Sequence, residues 1–126
     1  MSDCKGTCGK APVILYACSG ASDVGGLADQ AARKLSREGC GKMSCLAGIG
    51  GRVSGLMASA ESASGLVAID GCPQNCAKKI LELAGFNQFT HIQLADLGLM
   101  KTQSPANDEN INKVVSYTKD MMSKIS

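Results

Sequence analysis

A chain of 126 residues can bury one sizeable hydrophobic core and is short for two. Its 44% hydrophobic content excludes a disordered polymer, and with no Trp, two Phe and two Tyr the core must be built from aliphatic residues. Thirteen basic residues against 11 acidic ones, scattered rather than clustered, leave a charge of +2 and exclude the basic stripe and stacking aromatics of a nucleic-acid binder.

The first segment, MSDCKGTCGK, is polar and glycine-bearing, so residues 1–11 are expected to form a flexible arm and residues 12–126 a single α/β domain. Cys4 and Cys8 make the arm a second thiol pair. Residues 13–18, VILYAC, form a short apolar run of β-formers that stops at Ser19-Gly20-Ala21-Ser22, the pattern of a buried strand entering a turn. This run falls far short of the roughly 20 residues needed for a membrane span or the apolar heart of an export signal. The expected location is therefore the cytoplasm, where reducing conditions keep the seven cysteines as thiols and direct them to metal or sulfur chemistry.

Leu27, Ala28, Ala31, Ala32 and Leu35 then recur at helical spacing, with Ser22 or Asp23 as N-cap and Gly39 as the left-handed stop. Residues 42–47 read as a second strand ahead of Gly48, Gly50 and Gly51. Leu56, Met57, Ala60 and Ala63 mark a second helix. Residues 66–69, LVAI, make a third strand broken by Asp70-Gly71-Cys72-Pro73, and a third helix runs over 74–84 to its stop at Gly85. Residues 90–94 alternate as an edge strand should, and a last helix starts near 105–108 with Ser104 or Asn107 as cap, burying Ile111, Val114, Val115, Thr118, Met122 and Ile125. Strands alternating with helices imply right-handed crossovers. The expected fold is a three-layer, Rossmann-like or flavodoxin-like α/β domain, with a four-stranded mainly parallel sheet of order 2-1-3-4 and helices on both faces.

On that scheme Cys18 ends the first strand, Cys45 the second, and Cys72 follows the third with Cys76 one helical turn on. Their spacing, C-x26-C-x26-C-x3-C, lacks the tight double knuckle of a zinc ribbon, so convergence depends on the fold. In the order 2-1-3-4 the switch point lies between strands 1 and 3, where open α/β sheets bind ligands. Four thiolates there suit a tetrahedral zinc ion, whose negative excess is offset by helices starting just after Cys18, Cys45 and Cys72. One metal ion is thus the expected partner and zinc the expected cofactor, with no nucleic acid and no membrane.

The segments Tyr16-Ala17-Cys18-Ser19-Gly20-Ala21-Ser22, Gly41-Lys42-Met43-Ser44-Cys45-Leu46-Ala47-Gly48-Ile49-Gly50-Gly51 and Ile69-Asp70-Gly71-Cys72-Pro73, followed by Cys76-Ala77-Lys78-Lys79-Ile80-Leu81, resemble the DGC-domain family. The resemblance runs from about Pro12 to Lys101. It implies a four-cysteine zinc site at Cys18, Cys45, Cys72 and Cys76 and supplies no reaction; Cys4, Cys8 and Cys40 fall outside its motifs.

Other chemistries compete for the same residues. Cys45 to Arg52 resembles a cysteine-phosphatase loop but has six residues between thiol and arginine where that loop needs five, which leaves Arg52 a solvated helix start. Cys72 and Cys76 could form a redox or persulfide-carrying pair, a thiolate at a helix N-terminus being reactive at neutral pH. An iron–sulfur cluster would use the same four thiolates. Asp70 reads as a turn or cap residue with a second role behind a ligand loop as the alternative, His91 as a solvent-facing strand residue, and Ser19, Gly20 and Ser22 as a weak anion cradle.

Overall fold

The computed structural model describes residues 11–19 and 21–124. The N-terminal residues 1–10, with Cys4 and Cys8, as well as Gly20, Ile125 and Ser126, lie outside the described residues.

Four parallel strands, β1 (Val13–Ala17), β2 (Lys42–Met43), β3 (Gly65–Asp70) and β4 (Thr90–Gln93), form one sheet in the order β2-β1-β3-β4. The central pair is in register from Val13 beside Gly65 to Ala17 beside Ile69, so both strands end level with each other. Alternation splits the apolar residues of each strand between two layers. Leu15, Ala17, Val67, Ile69 and Ile92 face α1 (Asp23–Arg37) and α5 (Asp108–Ser123). Ile14, Tyr16, Leu66 and Ala68 face the other layer, made by α2 (Leu46–Gly50), α3 (Ser54–Ser62) and α4 (Cys76–Leu83). Fully buried leucines such as Leu27, Leu35 and Leu81 stabilise these layers by about 1.5–3 kcal/mol each.

Helix ends follow their expected chemistry. Ser22 caps α1 by accepting from Gly25 N at 3.1 Å, Asn107 caps α5 by accepting from Asn110 N at 2.9 Å, and Gly39 and Gly85 stand at φ +82° and +96° beyond α1 and α4.

The second strand is the main departure. It holds only Lys42 and Met43; Ser44 and Cys45 leave the sheet, and Leu46 and Ala47, expected in the strand, open the short α2. The reason is packing: Leu46 and Ile49 are buried only when the chain coils back over the sheet. A side chain on Gly48 would collide with Leu56, the two being so close that an added Cβ would lie 2.0 Å from Leu56 Cδ1. The third helix starts at Cys76 rather than Gln74, and the fourth strand ends at Gln93, where Leu94–Leu97 form a 3-10 turn.

Candidate functional site

The level ends of β1 and β3 release two loops at the same sheet edge. Cys18 leaves β1, its N–H donating to Ile69 O at 3.1 Å, and its Sγ accepts from Gly71 N at 3.3 Å. Gly71 is buried against the start of α1, where an added Cβ would lie 2.4 Å from Val24 O and 2.7 Å from Gly25 N. No other residue fits there. The close approach holds the β3–α4 loop against α1 and so sets Cys72 beside Cys18.

Cys18, Cys72 and Cys76 line one cleft of about 450 Å³, together with Asp70, Ser22 and Lys101. Cys45 lies outside it. It heads α2 at the neighbouring edge and lines a larger cavity of about 910 Å³, which it shares with Cys18. Cys18 and Cys72 are half-buried, Cys45 and Cys76 exposed, and all four stand outside any disulfide. Cys40, buried near the end of α1, is disulfide-bonded, so the expectation of a thiol fails at that position. Among the described residues no three Cys, His, Asp or Glu side chains are grouped closely enough to hold a metal ion as they stand.

Asp70 explains the first letter of the Asp-Gly-Cys motif. Asn75, the residue before α4, has φ +56° and makes no capping bond of its own. Instead, Asp70 at the end of β3 accepts from Ala77 N at 2.7 Å and Lys78 N at 3.1 Å, satisfying two of the open N–H groups at the start of α4. His91 is not solvent-facing: its Nε2 stands 2.8 Å from Asp70 Oδ2, and its side chain is only 21% exposed. It lies next to Asp70 because β4 pairs with β3, and it lines neither cysteine cavity.

Arg52 is likewise not a solvated helix start. At φ +59° it turns back to donate to Ile49 O at 2.7 Å, Gly50 O at 3.2 Å and Leu83 O at 2.9 Å, covering carbonyls at the ends of α2 and α4. This role and the six-residue gap both take it away from a phosphatase loop.

Two supporting roles escaped the sequence reading. Gln93 donates through Nε2 to Cys72 O at 3.0 Å and to Asn75 Oδ1, bracing the loop that carries Cys72. Asp23 accepts from Thr102 N at 2.9 Å and Ser104 N at 3.0 Å, and these bonds hold its carboxyl below the ordinary value of 3.8. They fix the loop that brings Lys101 to the cysteine cleft. Only Gln93 had a signal, its place on the alternating edge strand. Asp23 meets its partners across a separation that no local pattern encodes.

The chain is thus a parallel α/β protein whose third strand runs into an Asp-Gly-Cys turn. The DGC domain matches residues 14–118, and the chain belongs to that family. The chain is also similar to the anaerobic and virulence modulator AnvM of Pseudomonas aeruginosa, 41% identical over 88 residues that span 70% of this chain and 67% of that protein. No solved structure matches. No helix among the described residues is long and apolar enough to cross a membrane.

Proposed function

We propose that this chain is a cytoplasmic zinc-binding protein whose Cys18, Cys45, Cys72 and Cys76 hold one ion. The observation that carries the reading is the cleft that Cys18 shares with Cys72 and Cys76, a pair far from it in sequence that the adjacent ends of β1 and β3 bring to the same edge. The donor set fits in kind. Four sulfurs outside any disulfide suit zinc, which takes tetrahedral thiolate shells. It fits in placement to the extent that Cys45, exposed and one cavity away beside Cys18, can turn its side chain without disturbing the core. Gly71 N–H, the start of α4 and Lys101 supply positive character toward the sulfurs.

When bound, the ion would tie the ends of three strands together. Asp70, His91 and Gln93 hold the loop that presents Cys72 and Cys76, and Gly71 holds that loop against α1. The relative's name speaks of anaerobic and virulence modulation, and a modulatory rather than catalytic role is the one we extend to this chain.

Metal analysis of the purified protein tests the reading. About one zinc per chain is expected, lost in Cys18→Ser and in Cys45→Ser. Full zinc in both variants would overturn the assignment, and iron with sulfide in place of zinc would move it to a cluster protein. Metal-free protein with Cys72 and Cys76 joined on mild oxidation would favour the redox or persulfide-carrying pair.

A further inference from the structure

The large cavity beside the cysteine cleft carries a chemistry of its own. Its lining includes Cys18 and Cys45, the apolar Ile80, and two guanidinium groups, Arg33 and Arg37, which stand one turn apart on α1 and therefore on one face. Among the described residues Asp29 is the only carboxylate in the lining. It accepts from Arg33 Nε at 2.8 Å and from Ser19 Oγ at 3.4 Å, which leaves the two terminal nitrogens of Arg33 outside that pair. The terminal nitrogens of Arg33 and the whole guanidinium of Arg37 make no hydrogen bond among the described residues. Leaving the thiols aside, the lining keeps one positive charge in excess.

Volume narrows the choice. About 910 Å³ lies in the range of pockets that hold organic molecules and is far more than an inorganic anion fills. Two forked donors match acid groups, and the sulfur and apolar residues match a soft or apolar end.

We infer that this cavity binds a small organic anion of up to about tripeptide size, its acid groups on Arg33 and Arg37 and its sulfur-bearing or apolar end against Cys18, Cys45 and Ile80. The inference does not rest on the zinc reading, since the arginines take no part in ligating a metal.

Calorimetric titration of the full chain with two probes, reduced glutathione and S-methylglutathione, tests it. Both carry two carboxylates, and only the first can ligate a metal through a thiolate. Saturable binding of both is expected, weakened about tenfold in Arg33→Ala and again in Arg37→Ala, as loss of a charged hydrogen bond implies. Arg37→Lys should recover part of the loss, and Lys113→Ala on α5 should bind as the unaltered chain does. Circular dichroism confirms that the variants, both altered at exposed positions, remain folded. Absence of saturable binding by either probe, equal binding by the Arg33→Ala/Arg37→Ala double variant, or binding of glutathione alone would each overturn the inference. The last outcome would assign the affinity to metal or thiol chemistry and leave the zinc reading standing.

Discussion

His91 Nε2 stands 2.8 Å from Oδ2 of Asp70, a carboxylate whose side chain is only 1% exposed and which also accepts the N–H groups of Ala77 and Lys78. One buried acceptor thus joins the end of β3, the start of α4 and the edge strand β4. Removing it strands two backbone donors and the imidazole together. Asp70→Ala should cost about 3 kcal/mol in urea unfolding and His91→Ala about 1 kcal/mol, with a double-mutant cycle showing coupling of about 1 kcal/mol. Additive losses would show that His91 and Asp70 act independently.

The contact of Gly71 with α1 gives a second expectation. In Gly71→Ala the new methyl has no room against Val24 O and Gly25 N, which are backbone atoms that cannot rotate away. Destabilisation of about 2–4 kcal/mol should follow. On the proposed zinc reading the same change should also weaken metal retention, because the loop that carries Cys72 has to move off Cys18. Unaltered melting and metal content would mean that the loop relaxes freely.

Thiol exposure predicts an order of modification. In metal-free protein Cys45 and Cys76, exposed, should be alkylated faster than Cys18 and Cys72, which are half-buried. Zinc loading should slow all four, a closed tetrahedral shell leaving no sulfur to react. Peptide mass spectrometry after brief alkylation reads both effects. Cys76 labelled as fast with zinc as without it would exclude that residue from the shell.

Asp23 makes the loop beside the cysteine cleft sensitive to acid. The N–H groups of Thr102 and Ser104 hold its folded pKa below 3.8, so its contribution is present above that value and is lost as the pH falls through the lower, folded one. Hydrogen exchange at Thr102 and Ser104, compared with amides of α5, should rise on acidification in that window. Asp23→Asn should show raised exchange already at neutral pH and lose the acid step. An identical pH profile in the variant would place the anchor of the loop elsewhere.

Much of the fold was legible because its signals are local. The apolar run from Val13, the helical spacing from Leu27 to Leu35 and the caps Ser22 and Asn107 each fix their element within a few residues, and alternation of strand and helix then leaves a parallel sheet with right-handed crossovers. The order β2-β1-β3-β4, which the sequence reading supposed and no local signal fixes, is decided by which strands pair in space, and that pairing brings Cys18, Cys72 and Cys76 to one edge. Other features depend on which surfaces meet. Residues 42–47 carry strand-forming and helix-forming side chains alike, and only the burial of Leu46 and Ile49 against the sheet decides that the strand ends at Met43. Arg52 and His91 carry polar groups whose partners lie in other elements, Leu83 on α4 and Asp70 on β3. Composition and periodicity describe what a residue prefers along its own segment. The hydrogen bonds that satisfy a polar group are set by distance in space, and for Asp70, Gly71 and Asp23 that distance exists only once β3, β4 and α1 have packed.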